Sequence, residues 1–88
     1  MKVQKRDGRI VPFDAGKIRA AMEKANRAVE EKERVETRLI EETIRHVEEK
    51  AKDVVAVETI QDLIEERLVE WNKYALAKKY MIYRYQQA

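Results

Sequence analysis

The chain has 88 residues, of which 41% are charged and 44% hydrophobic, with no cysteine and a net charge of +2. This length and balance predict one globular domain, residues 1–88, with a modest core. They argue against disulfides, cysteine-based zinc or iron–sulfur sites and, since no apolar run approaches the roughly 20 residues that span a bilayer, a membrane-spanning segment. Charges interrupt the first segment, so no signal peptide is indicated, and we expect a cytoplasmic protein.

Charge is distributed unevenly along the chain. Residues 1–20 and residues 73–88 each carry a net charge of +4, whereas residues 21–72 carry −6. Two ends that meet in space would form a basic patch suited to a compact anion. Two solvated basic tails are the alternative interpretation.

The N-terminal segment predicts a β-hairpin. Lys2–Arg6 and Arg9–Phe13 flank Asp7-Gly8, a dipeptide that favours a two-residue type I′ turn. An isolated hairpin is marginal in water, so this one must pack against the rest of the chain.

Apolar residues at helical spacing follow Asp14, which is a good N-cap for the first helix. The predicted helices cover about residues 15–30, 36–52, 58–71 and 74–86. Residues 54–57 are short and β-branched, and form a candidate third strand. The predicted fold class is therefore α+β, with a β-hairpin lid, three-stranded if residues 54–57 join it, packed on a four-helix cluster.

No pattern in the sequence indicates an enzyme. Gly8 and Gly16 are the only glycines, so a Walker loop is absent, and His46 is a lone helical histidine without an HExxH partner. The glutamates mostly lie beside Lys or Arg at helical spacing, as ordinary surface pairs do. We therefore predict no catalytic residues and no metal site.

The start of the chain indicates an anion site instead. Lys5, Arg6 and Arg9 surround the turn, and Lys17 lies in the first turn of the first helix, where the dipole disfavours a cation. A phosphate near the free N–H groups of that helix start would explain the lysine, and Gly16 would let a ligand come close. The alternative is that Lys17 is an ordinary exposed lysine and Gly16 a tolerated defect.

Three segments together resemble the ATP-cone domain over essentially the whole chain. They are Val3-x-Lys5-Arg6-Asp7-Gly8 with Phe13-Asp14-x-x-Lys17-Ile18, then Val57 to Glu65, then Tyr74-x-x-Ala77-x-x-Tyr80-x-Ile82-Tyr83-Arg84. The resemblance implies an allosteric regulatory module that binds ATP or dATP with Mg²⁺, as in ribonucleotide reductase large subunits and a reductase-gene repressor. It also implies self-association or a reductase catalytic domain as the partner. The chain resembles an excised, a stand-alone or a redesigned domain of this kind.

The resemblance assigns a nucleotide-binding site residue by residue. Lys5, Arg6 and Arg84, with Gln87, would contact phosphates, and Lys17 would face the phosphates or ribose. Val3 and Ile18 would pack around the base or sugar, Gln61 would approach the ribose or base, and backbone groups of residues 11–14 would read the adenine edge. Ala56 departs from the Ser or Thr common in this family before the third helix, which is expected to weaken binding.

Two other functions remain open at this point. A ligand-free helical assembly module would use Leu63, Leu68, Trp71 and Tyr74 as a dimer face. A nucleic-acid-binding domain would use both basic ends to follow a phosphate backbone, although the acidic middle of the chain disfavours it.

Overall fold

The structure, a computed structural model, describes residues 1–87, with side chains described through Arg84. Three short strands and four α-helices follow one another along the chain, with one 3-10 turn between the first two helices. The elements are β1 Lys2–Gln4, β2 Ile10–Pro12, α1 Ala15–Arg27, the 3-10 turn Glu31–Glu33, α2 Thr37–Lys50, β3 Val54–Ala56, α3 Val57–Glu70 and α4 Tyr74–Gln87. The predicted α+β class and the four helices are confirmed. None of the described helices has the length and apolar character that crossing a bilayer requires.

The hairpin turn differs from the predicted two-residue type. The amide of Gly8 donates to the carbonyl of Lys5 at 2.9 Å, and the amide of Lys5 donates to the carbonyl of Arg9 at 2.8 Å. Arg6, Asp7 and Gly8 therefore form a three-residue loop, in which only Gly8 has a positive φ, 90°. A turn completed by a left-handed glycine gives this geometry. The type I′ prediction was wrong because it required a positive φ at Asp7 as well.

The third strand joins the hairpin, as residues 54–57 had suggested. The strand order is β2-β1-β3, with β1 antiparallel to β2 and parallel to β3. Val3 lies at the centre, opposite Val11 on one side and Val55 on the other, and is 7% exposed. The sheet therefore delivers one buried side chain of its central strand to the helices beneath.

The first helix ends earlier than its charged C-terminal sequence indicated. It ends at Arg27, and the chain then turns back through the 3-10 turn. The side chain of Asn26 holds this return, since its Nδ2 donates to the carbonyl of Val35 at 2.9 Å and its Oδ1 accepts from the amide of Val35 at 3.0 Å. Because Val35 is buried, the Asn26 amide fixes where α2 begins relative to α1.

A single apolar core lies between the helices and the sheet, and α4 packs on both α1 and α3. Its most buried large side chains are Met22, Ile40, Ile64, Leu68 and Leu76. The four residues considered above for a dimer face mainly serve the core, because Leu68 is fully buried and Leu63 and Trp71 are partly buried against it. Only Tyr74 of that set is exposed. The helical periodicity of these residues reflects packing within the domain.

The start of α3 lacks a side-chain cap. Ala56 occupies the N-cap position with extended φ and ψ of −67° and 140°, and its methyl group cannot accept a hydrogen bond from the first turn. We expect Ala56→Ser to stabilise the domain by about 0.5–2 kcal/mol, because a serine oxygen at this position satisfies a free backbone N–H. Thermal unfolding measures the effect. Ala20→Ser makes the same change at an exposed position inside α1 and should be slightly destabilising, so equal effects of the two variants would disprove the capping explanation.

Candidate anion-binding site

A cavity of about 260 Å³ lies where the hairpin meets α1, α3 and α4. All seven residues predicted for a ligand site line it: Val3, Lys5, Arg6, Lys17, Ile18, Gln61 and Arg84. Five basic and two acidic side chains line the cavity in all, so it is electropositive within a domain whose middle is acidic. The two basic ends of the chain therefore meet in space. The side chain of Gln87, also considered for this site, lies outside the described residues.

The two arginines from opposite ends of the chain converge on one buried oxygen atom. Arg6 Nη2 donates to Gln61 Oε1 at 3.1 Å, and Arg84 Nη1 donates to the same oxygen at 2.9 Å. Gln61 is buried, with only 6% of its surface exposed. Because both arginines donate to the amide oxygen, the orientation of the Gln61 amide is fixed. Its nitrogen therefore points away from the guanidinium groups.

Each guanidinium also has a carboxylate partner on α3. Arg6 Nε lies 3.2 Å from Glu58 Oε1 near the surface, and Arg84 Nη1 lies 2.6 Å from Glu65 Oε2 in a better shielded position. The second contact is an ion pair without hydrogen-bond geometry, since Oε2 of Glu65 has no hydrogen-bond donor in the described structure. Burial raises the pKa of Glu65 above its ordinary value, although the nearby Arg84 opposes this shift.

The three-residue turn explains how two adjacent cations reach one cavity. In a continuous strand Lys5 and Arg6 would point to opposite faces. Strand β1 ends at Gln4, however, and Arg6 is the first residue of the loop, so the alternation no longer holds there. Within the same turn, Arg9 Nε lies 2.7 Å from Asp7 Oδ2, and the hydrogen bond from the Arg9 amide is the main reason that the pKa of Asp7 is lowered. The charges of Arg9 and Lys5 both contribute to this lowering, and Arg9 is the direct partner of Asp7.

The start of α1 confirms Asp14 as its cap and changes the interpretation of Gly16. Asp14 Oδ1 accepts a hydrogen bond from the amide of Gly16 at 2.9 Å. A Cβ atom at Gly16 would lie 3.0 Å from that same oxygen, and Gly16 does not line the cavity. The glycine therefore makes room for the capping carboxylate and not for a ligand. Lys17, one residue further on, is exposed and does line the cavity.

The cavity also has apolar lining residues. They are Val3, Val11, Pro12, Phe13, Ile18, Ala21, Val57 and Ile60. Tyr80 is a core residue, 3% exposed, that also lines the cavity, and burial raises the pKa of its hydroxyl. The side chains of Phe13 and Tyr80 were not assigned to the site from the sequence, since an aromatic residue at helical spacing, such as Tyr80, is more often core and only the backbone near Phe13 was considered. The resemblance had quoted both as part of its motifs.

Residues considered for other chemistry lie elsewhere. His46 is on α2, which contributes nothing to the cavity lining. Within residues 1–87, no group of three or more His, Asp or Glu side chains is arranged to hold a metal ion. The cavity combines apolar lining residues with five basic side chains, which suits a ligand that has a flat apolar part and several negative charges.

The fold and the cavity define a small α+β domain with a β-hairpin over an electropositive site. The chain belongs to the ATP-cone family, since the model of the ATP cone domain matches residues 1–88. ATP-cone domains are nucleotide-binding regulatory modules of ribonucleotide reductases, with ATP and dATP as effectors.

Two relatives of the chain are ribonucleotide reductases. The chain is 33% identical to the ribonucleoside-diphosphate reductase subunit alpha of Chlamydia trachomatis, in a match that covers 96% of this chain and 9% of the relative. It is 34% identical to the vitamin B12-dependent ribonucleoside-diphosphate reductase of Mycobacterium tuberculosis, over 99% of this chain and 12% of the relative. The chain therefore spans about a tenth of the length of the curated relatives it matches.

Proposed function

We propose that the cavity binds ATP or dATP as an allosteric effector, and that this domain regulates without catalysing a reaction of its own. The observation that carries the proposal is the convergence of Arg6 and Arg84 on Gln61 Oε1. Two like charges held this close repel each other, and a polyphosphate between them would turn that repulsion into attraction. Lys5 and Lys17 line the same cavity and would add two further positive charges.

The apolar lining residues suit the nucleoside end of the ligand. Val3 and Ile18 would pack against the base or sugar, and the backbone of residues 11–14 would read the adenine edge. With its oxygen engaged by the two arginines, Gln61 has its amide nitrogen to offer to an acceptor on the ribose or base.

Mg²⁺ would enter with the triphosphate, held by phosphate oxygens and water. Both carboxylates that line the cavity already have partners, since Asp7 pairs with Arg9 and Asp14 caps α1. This arrangement supports a role for the metal as part of the ligand. Hydrolysis is not expected, because no carboxylate or other base in the cavity is placed to activate water.

Regulation would follow from preferential binding to one conformational state. A ligand shifts an equilibrium only by its difference in affinity for the two states. The relatives are reductases, so the partner that responds would be a reductase catalytic domain or a second copy of this domain. Binding to the folded domain would in addition stabilise it against unfolding by mass action.

Thermal unfolding with and without magnesium-ATP, dATP and GTP, at matched salt, tests the proposal. At a ligand concentration a hundredfold above Kd, binding adds about 2.7 kcal/mol to the free energy of unfolding. For a domain of this size the midpoint should rise by on the order of 10 °C with ATP and dATP. The double variant Lys5→Ala/Arg6→Ala should lose that rise.

A matched control removes the same two charges outside the cavity. Lys78 and Lys79 lie on α4 and do not line the cavity, so Lys78→Ala/Lys79→Ala should keep the full shift. A rise in neither the wild type nor the control at millimolar nucleotide would refute the proposal. An equal loss of the nucleotide-induced shift in both double variants would mean that net charge, and not the cavity, causes the shift.

A further inference from the structure

Glu65 lies on α3, one helical turn after Gln61, and contacts Arg84. The same nitrogen, Arg84 Nη1, contacts Gln61 Oε1 at 2.9 Å and Glu65 Oε2 at 2.6 Å. The side chains of Arg84 and Glu65 are only 15% and 14% exposed, so water screens their attraction weakly. Arg84 lines the cavity and Glu65 does not, so Glu65 can act on a ligand there by holding Arg84.

The two guanidinium groups of the site are held by unequal carboxylates. Arg6 is paired with Glu58, whose side chain is 64% exposed, so solvent weakens that interaction. The pair of Arg84 and Glu65 is shorter, 2.6 Å against 3.2 Å, and better shielded from water. An arginine side chain has many rotamers, and repulsion from Arg6 would favour those that turn outward to water. Glu65 supplies the attraction that opposes this movement before any ligand is present.

We propose that Glu65 is the positioning residue for Arg84, holding its guanidinium at the cavity wall beside Arg6 so that an anion meets a preorganised pair. The expected effect of Glu65 on nucleotide affinity rests on the proposed function, since it concerns binding in the same cavity. Its structural part, the immobilisation of Arg84 in the free domain, stands independently of any ligand. Preorganisation raises affinity by removing the cost of ordering a side chain on binding.

The structural part is tested on the ligand-free domain. ¹⁵N NMR order parameters of the Arg84 Nε–H group report the mobility of its guanidinium. We expect a rigid group in the wild type and a mobile one in Glu65→Gln, which keeps the size of the side chain but removes its charge. Glu66→Gln removes the same charge from an exposed neighbour on α3 and should leave Arg84 rigid. Unchanged order in Glu65→Gln would overturn the proposal whether or not the domain binds nucleotide.

The consequence is tested by calorimetric titration with magnesium-ATP. Glu65→Gln should weaken binding by about threefold to tenfold, the effect of releasing one side chain, and Glu66→Gln by less than about twofold. In an Arg84→Gln background, Glu65→Gln should have no further effect, because its target has been removed. Tighter binding by Glu65→Gln, or an undiminished effect without Arg84, would contradict positioning. Failure of the wild type to bind would instead refute the proposed function, while the order parameters would still decide the role of Glu65.

Discussion

Gln61→Glu is expected to raise the unfolding temperature of the free domain and to abolish its stabilisation by nucleotide. Gln61 Oε1 already accepts hydrogen bonds from Arg6 and Arg84, and glutamate has nearly the same shape. Charge-assisted hydrogen bonds are roughly twice as strong as neutral ones, so two of them should add about 1 kcal/mol after the cost of burying the carboxylate. The midpoint should rise by about 4–8 °C.

The same carboxylate would compete with the ligand. It places a negative charge where the phosphates are expected, and at an effective dielectric constant near 20 a charge about 5 Å away costs about 3 kcal/mol. Affinity for magnesium-ATP should therefore fall by about a hundredfold or more. The measurement is thermal unfolding of wild type and variant at several nucleotide concentrations.

Gln4→Glu is the control for the added charge. Gln4 is exposed on β1 and does not line the cavity, so this variant should keep most of the nucleotide shift. A Gln61→Glu variant that still responds fully to nucleotide would locate the phosphates elsewhere. A lower unfolding temperature would mean that desolvation of the carboxylate outweighs its two hydrogen bonds.

Leu68→Ala should cause a large loss of stability without removing the site. Leu68 is fully buried at the centre of the core, and replacing a buried leucine by alanine costs about 2–5 kcal/mol. A domain of this length has a free energy of unfolding on the order of 5–10 kcal/mol, so the variant would lose a large part of it. Thermal unfolding should show a midpoint lower by about 15–25 °C.

The neighbouring residue provides the comparison. Val69 is 44% exposed on the same helix, and Val69→Ala should cost less than about 1 kcal/mol. Leu68 does not line the cavity, so nucleotide should still raise the midpoint of Leu68→Ala by about as much as in the wild type. Equal losses in the two variants would contradict the burial of Leu68, and a selective loss of the nucleotide shift would connect the core to the site.

Local signals explain most of what the sequence predicts of the fold. Asp14 caps α1 because its side chain reaches an amide two residues away, and such contacts depend on neighbouring residues alone. The three later helices begin or end within two residues of their predicted bounds, since apolar periodicity is a property of each segment. The type of the hairpin turn was predicted wrongly, because Asp7-Gly8 is compatible with a two-residue and a three-residue loop. The register of β1 also depends on its pairing with β3, which is distant in sequence.

The seven predicted residues that line the cavity were predictable from the family resemblance. The charge distribution was compatible both with two ends that meet and with two solvated tails, and the structure brings the ends together. Whether the seven residues bind a nucleotide stays a prediction. The roles of Glu58 and Glu65 were not predictable, because each looks like one of many surface glutamates at helical spacing. The sequence left Gly16 open between ligand access and a tolerated defect, and its surroundings instead show a capping carboxylate that a Cβ atom would crowd.

The sequence by itself determined the helices, the hairpin, the single core and the uneven distribution of charge. These properties arise from composition and from interactions within a few residues. Only the tertiary structure decided that Arg6 and Arg84 both donate to the side-chain oxygen of Gln61. Arg6 is 55 positions from Gln61 in the sequence, and Arg84 is 23 positions from it. Packing of α4 on α1 and α3 sets those distances, and the balance between attraction and repulsion in the site depends on them to within an ångström.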